Sequence, residues 1–238
     1  MVASSGVDES KTASSSNNDR GRIDSLPINR RNFLDFSLTS PRVTPDRTPQ
    51  QGVAASSGLS FNGLPARTNS ITIDGLDNND AGPGAVRSTF SQEAVQEFQV
   101  VSDSFSAEFG KALGGIINIV TRGGSNDLHS TLFFLNRGES IAARNAFANF
   151  KPKFKQFQFG ATLGGAIKKN KAFYFTSFER LSVKQNAIVG ISDDTLSAIN
   201  SQGFPIRNGA IPFGIGTSTF LLRTDIQISP NNTLYARY

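Results

Sequence analysis

The chain has no cysteine, no tryptophan, one methionine and one histidine among its 238 residues. Without cysteine there is neither a disulfide framework nor a thiolate metal site. With His129 as the sole histidine, Cys–His nucleophiles and zinc centres are also excluded. A Ser-His-Asp triad would have to use His129, but no Gly-x-Ser-x-Gly elbow stands beside it. His129 therefore reads as a strand-end residue. No apolar run reaches the roughly 18 residues that a transmembrane helix needs. Met1 leads directly into VASSGVDESKTASSSNNDR, which lacks the apolar centre of a signal peptide. Basic residues exceed acidic ones, 24 to 19, giving a net charge of +5. They are scattered apart from Lys168-Lys169-Asn170-Lys171, and without a basic stripe no nucleic-acid partner is expected.

The chain is rich in glycine (22) and phenylalanine (20), whereas hydrophobic residues make up only 37%, low for a compact globule. Phenylalanine without tryptophan suits strands with an apolar outer face.

Residues 1–22 are Ser, Asn, Asp and Lys with little to bury, and they read as a disordered linker. Order is expected from Ile23, with Asn29 or Asn32 capping a short helix that carries Phe33, Leu34 and Phe36. Ser40 to Ser60 reads as loop and Phe61-Asn62-Gly63 as a turn. Thr68 to Ile73 alternates as a strand that Asp74-Gly75 turns, and Asp77 to Gly84 is a polar loop. Glu93 and Glu97 stand one helical turn apart and read as an acidic helix start rather than an acid–base pair. Phe98–Val101 and Ile116–Val120 are β-prone, separated by the glycines Gly110, Gly114 and Gly115.

Those glycines form neither a phosphate loop nor a dinucleotide fingerprint, because the Gly-Lys-Ser/Thr order and the GxGxxG spacing are missing. Asp74, Asp77, Asn78, Asn79 and Asp80 offer hard oxygen ligands, but the EF-hand order fails, and a solvated loop is the better reading. The sequence thus offers no catalytic, cofactor-binding or metal-binding residue.

Beyond Arg122–Asp127, amphipathic segments of about ten residues follow one another, the weak signature of a transmembrane β-barrel. Leu128–Asn136 is the first. Gln156–Leu163 is the clearest, with Phe157, Phe159, Ala161 and Leu163 opposite Gln156, Gln158, Gly160 and Thr162. Ala172–Arg180 and Phe220–Ile228 follow, and Ser229–Asn232 turns into a last segment ending at Tyr238. Lys168–Lys171 and Ser229–Asn232 are short turns, while Arg137–Lys155 and Leu181–Gly216 are long connections.

Several pieces, in this order, resemble TonB-dependent outer-membrane transporters of the Oar-like subgroup. Leu26-Pro27-Ile28-Asn29-Arg30-Arg31-Asn32-Phe33, Thr72-Ile73-Asp74-Gly75-Leu76-Asp77-Asn78-Asn79-Asp80, Glu93-Ala94-Val95-Gln96-Glu97-Phe98 and Gly114-Gly115-Ile116-Ile117-Asn118-Ile119 carry the likeness. Ala143-Arg144-Asn145 and Phe159-Gly160 through Gly164-Gly165 resemble the opening barrel strands. The resemblance implies an α+β plug domain over 23–125, followed over 126–238 by antiparallel strands of an incomplete transmembrane β-barrel. Since the strand pattern ends in its fifth segment without a preceding signal, the chain is expected to be a fragment of an outer-membrane protein. The resemblance also implies no enzyme activity and no cofactor. The implied partners are the TonB energy-transducing complex, outer-membrane lipid, and a ligand such as a glycan, peptide or metal chelate. No TonB box is recognisable before Ile23. Loops such as Asn62–Arg67 and Asp77–Gly84 are the candidates for touching ligand. A non-enzymatic β-rich surface module that binds a glycan or protein is the alternative, as is an inactive truncated product.

Overall fold

The computed structural model describes residues 14–26, 31–45, 58–80, 86–103, 110–140, 143, 151, 153–189 and 191–238. The chain divides into two compact units: the first comprises Met1–Thr131, Thr162–Phe178 and Thr219–Tyr238, the second Leu132–Ala161 and Glu179–Ser218.

The first unit is built on a five-stranded sheet of β1 (Ser14–Asn18), β6 (Val95–Asp103), β7 (Ile116–Thr121), β4 (Ser70–Ile73) and β5 (Leu76–Asp77), in that spatial order. β6 and β7 pair antiparallel, with Phe98 opposite Ile119, whereas β4 runs parallel to β7, with Ile71 opposite Ile117. The neighbours Ile116 and Ile117 point to opposite faces, and both are at most 1% exposed. A strand covered on both faces gains from apolar residues at every position, so β7 reads as a run rather than an alternation. Phe33, Phe36, Phe61 and Ile23 complete this core, with Phe33 stacked on Phe90 at 4.9 Å.

Local chemistry explains several connections. Asn32 caps the 3₁₀ helix Phe33–Thr39 by accepting a hydrogen bond from the Leu34 N–H, so the expected cap holds but the helix is of the tighter kind. Asp74 and Gly75 both have positive φ (49° and 80°), and they join β4 to β5 as a two-residue hairpin turn.

Three expectations require correction. Regular structure is already present at Ser14, ahead of the expected Ile23: β1 pairs along β6, and α1 (Arg20–Ser25) follows, capped by Asp19, while residues 1–13 of the expected linker lie outside the described residues. The Ser/Asn composition hid this, because the strand is held mainly by backbone pairing to the β6 edge. The acidic stretch at Glu93–Glu97 is not an α-helix. A single 3₁₀ turn, Gln92–Ala94, gives way to strand at Val95, since Val95, Phe98 and Val100 are all buried and extended backbone places them in the core. The stretch expected to be loop holds β2 (Val43–Pro45) paired with β3 (Leu59–Phe61), whose Leu59 and Phe61 are core residues.

Gly115 lies against the Phe61 ring, where an added Cβ would overlap the ring carbons. Gly115→Ala is therefore expected to lower the unfolding free energy by about 1–3 kcal/mol through overpacking. Denaturant midpoints read this directly, and an unchanged midpoint would refute the close fit.

A second five-stranded sheet follows chain order: β8 (His129–Gly138), β9 (Phe154–Lys168), β10 (Ala172–Val189), β11 (Gly209–Ser229) and β12 (Asn232–Arg237). The sheet is open, with β8 and β12 at its edges. The connections at Lys168–Lys171 and Ser229–Asn232 are tight, as expected; Asn170 takes positive φ in the first. The strands are longer than ten-residue windows suggested, reaching 18 residues in β10 and 21 in β11. The expected long loop Leu181–Gly216 is therefore strand at both ends, where β10 runs to Val189 and β11 starts at Gly209, with α2 (Asp193–Ser201) between them.

The sidedness of β9 is inverted relative to a water-soluble sheet. Gln156, Gln158 and Thr162 are buried (7%, 0% and 5% exposed), whereas Phe159, Leu163 and Ile167 are bare (37%, 39% and 66%). β11 follows the same rule with Phe220, Ile226 and Ile228 exposed. Such a row of apolar side chains in water would be an aggregation hazard; against lipid it is the required outer face.

Candidate functional site

Two charged nodes and one cavity concentrate the polar chemistry. The first node is Asp74, held in the left-handed region by the β4–β5 turn, a conformation that Asp and Asn tolerate better than most residues. Its Oδ1 accepts the Thr121 N–H at 2.8 Å, and its Oδ2 accepts the Thr121 hydroxyl at 2.7 Å. Arg237 of β12 donates to Oδ2, and Arg223 of β11 forms an ion pair with Oδ1 at 3.5 Å. Arg223 also donates to the Thr121 carbonyl at 2.7 Å, pairs with Asp225 at 2.8 Å and lies over the Tyr235 ring. The Tyr235 hydroxyl donates to the Asp74 carbonyl at 3.1 Å. Two arginines are thus balanced by two carboxylates. The Asp74 side chain is only 7% exposed. All of these residues belong to the first unit, where the network fastens one sheet to two strands of the other. Phe175 and Leu221 contribute to the same core.

The second node is Glu93. Arg20 donates to its Oε2 at 2.6 Å, Arg31 donates to its Oε1, and Arg20 also reaches the Val95 carbonyl at 3.0 Å. Burial alone would raise the Glu93 carboxyl, but the Arg20 hydrogen bond and the charges of both arginines outweigh it and hold the group below its ordinary value. A carboxylate with a depressed folded-state pKa contributes stability that is complete above the unfolded value and is lost as pH falls through the folded one. The α1–β6 region is therefore expected to loosen first below about pH 4.3, the ordinary glutamate value. Amide exchange at residues 20–26, followed between pH 7 and 3, should accelerate there, and less so in Glu93→Gln, which has no carboxylate to lose.

The cavity belongs to the second unit, has a volume of about 810 Å³, and is lined by Asn136, Glu139, Lys153, Phe154, Lys155, Lys184, Asn186 and Phe213, among others. Its lining is basic. Glu139 is engaged by the Phe154 N–H at 3.1 Å.

The loops expected to touch ligand are built differently from free recognition loops. Asn62 donates to the Ser102 carbonyl at 2.7 Å, leaving Gly63, Leu64, Pro65 and Arg67 exposed. In the other loop Asn78 is buried and bonded to Ser88. Asp77 accepts from the Asn79 N–H and side-chain amide and pairs with Lys111, and these bonds hold its carboxyl at about 2. Its oxygens serve the loop itself, and residues 81–84 lie outside the described residues. Among the described residues no group of three His, Asp or Glu could hold a metal ion. His129 Nδ1 lies 2.8 Å from the Asp127 carbonyl and 3.2 Å from the Ser125 hydroxyl, at the start of β8.

The Asp74 network was not anticipated from the sequence. Asp74 was legible as a turn residue, but its arginine partners lie on strands more than a hundred residues away, where they read only as polar positions.

A family model described as "Outer membrane beta barrel domain" matches residues 120–204. An alignment 135 residues long, which takes in 51% of the chain, is 35% identical to the TonB-dependent transporter Oar of Myxococcus xanthus and covers 12% of that protein. Among solved structures, the outer membrane transporter YddB from Escherichia coli superposes with a TM-score of 0.68 at 14% identity, over 92% of this chain and 32% of that one. The siderophore receptor PirA from Acinetobacter baumannii gives 0.63 at 18% identity, over 93% and 30% respectively. At such identities the structural likeness establishes the fold alone. The chain spans a third or less of the length of these proteins. The barrel-domain match and the transporter likeness place the chain in the outer membrane.

Proposed function

We propose that this chain, a relative of the TonB-dependent outer-membrane transporters, supplies the plug domain and first barrel strands of a receptor that takes a ligand up across the outer membrane using energy from the TonB complex. The plug corresponds to the expected 23–125 extended back to Ser14, and the wall strands to 126–238. One observation carries the reading: a folded sheet is fastened through Asp74 to Arg223 and Arg237 on strands whose opposite face is apolar and bare. A soluble binding module has no need of that bare face. Its role is non-enzymatic: the polar groups bind and fasten rather than react. The basic cavity around Lys153, Lys155 and Lys184 is proposed to contact ligand, with anionic metal chelates or acidic peptides favoured over neutral glycans by charge.

Uptake assays test this. Disrupting the gene that encodes this sequence should abolish energy-dependent accumulation of one solute class from a panel of chelates, peptides and glycans, and loss of TonB should abolish the same uptake. Undiminished accumulation of the whole panel in the disrupted strain would sink the transport reading.

A further inference from the structure

A small polar pocket within the first unit serves none of the roles described above. It has a volume of about 260 Å³, and its lining includes Gln96, Arg122, His129, Thr131, Thr162 and Phe175. That volume equals about nine water molecules, room for a tetrahedral ion and part of its hydration shell.

The lining is selective in charge. Its described residues supply a guanidinium, an imidazole, an amide and hydroxyls, and among them is no aspartate or glutamate. Arg122 is half-buried and lies 5.3 Å over the Phe175 ring, which holds its plane in place. Among the described residues its guanidinium forms no hydrogen bond or ion pair, although its backbone N–H is fixed to the Ala94 carbonyl at 2.7 Å. The other described arginines near the charged nodes, Arg20, Arg31, Arg223 and Arg237, each hold a carboxylate. Burial, and then the nearby Arg20 charge, push Arg122 below the ordinary arginine value, while Glu93 and Asp24 pull the other way. A guanidinium presents five donors and no acceptor, and its partial desolvation is unfavourable until an anion answers it. The backbone of Gly123 and Gly124 also lines the pocket. Gly124 is pressed so close to the Tyr174 backbone that an added Cβ would collide with it, which fixes the connector at that point.

We infer that this pocket is a binding site for a small oxyanion, such as phosphate, sulfate or a carboxylate, with Arg122 as its charged anchor and Thr162, Thr131 and Gln96 as donors around it. Thr162 is 5% exposed, so its side chain is turned into the pocket it lines rather than out to solvent. The inference stands on the pocket alone and does not depend on the transport reading.

Isothermal titration of the full chain, folded in detergent, with inorganic phosphate at constant ionic strength tests it. One saturable site is expected, with sulfate competing, acetate measuring how far a planar carboxylate suffices, and chloride inert. Arg122→Gln should weaken phosphate binding at least tenfold, and Thr162→Val, close in shape, severalfold with an unchanged circular dichroism spectrum. If Arg122→Gln does not fold, Thr162→Val and His129→Gln carry the test. Absence of saturable phosphate binding in the wild type, or unchanged affinity in every folded variant, overturns the assignment.

Discussion

Asp74→Asn should lower the unfolding free energy of the full chain by about 3–5 kcal/mol, the range for breaking a buried ion pair from one side. Asparagine keeps the shape of the side chain and tolerates the positive φ of 49° at this turn, so the substitution isolates the charge. What remains is Arg237, with 19% of its side chain exposed and no other carboxylate partner among the described residues, and Arg223 with only Asp225. The Thr121 hydroxyl and N–H lose a charged acceptor at the same time, and hydrogen bonds to charged groups contribute about 1.5–3 kcal/mol. Urea midpoints in detergent measure the total, and amide exchange should rise at Thr121 and across the β4–β5 hairpin. Adding Arg237→Gln to Asp74→Asn should recover part of the loss, because the stranded charge is then removed. A single-variant loss below about 1 kcal/mol would place the network among ordinary surface pairs, which contribute about 0–1 kcal/mol.

The importance of Asp74 also marks how far the sequence could be read. Several features set by neighbours along the chain were legible: the Asp74-Gly75 turn, the Asn32 cap, the β-prone cores of β6 and β7, and the alternation of Gln156–Leu163. Features set by distant partners were not. The Arg237–Asp74 bond joins residues separated by 163 positions, and no local pattern announces it. β1 has the composition of a linker, and its order comes from the β6 edge on which it lies. At Glu93–Glu97 two physical cues competed. Acidic spacing of four suits a helix start, but burial of Val95, Phe98 and Val100 demanded a strand, and tertiary burial prevailed. Of the candidate sites, the loop at 77–80 was visible as a cluster of oxygens, yet only the structure shows those oxygens answering Asn79 and Lys111. The oxyanion pocket was invisible because its members come from β6, the connector, β8, β9 and β10.

Leu163→Arg gives the second large effect, and its size depends on what surrounds the outer face of β9. Leu163 is 39% exposed near the middle of the apolar row formed by Phe157, Phe159, Ala161 and Ile167. If that row faces lipid, an arginine there costs about 2–4 kcal/mol, the penalty at the bilayer midplane of a barrel strand. If it faces water, the same change is nearly neutral, within about 0.5 kcal/mol like other surface substitutions. Leu113 provides the internal control, since it is 78% exposed and lies on the connector ahead of β7, outside the wall strands. Leu113→Arg should leave stability unchanged, while Leu163→Arg should reduce the fraction of chain that assembles into phospholipid vesicles and resists protease. Exposure alone would rank Leu113 as the more sensitive of the two leucines in a bilayer and both as tolerant in water. The opposite order, with Leu163 costly and Leu113 silent, is expected only if the inverted sidedness of β9 is the mark of a lipid-facing wall, because lipid, unlike water, cannot solvate the guanidinium that replaces the leucine.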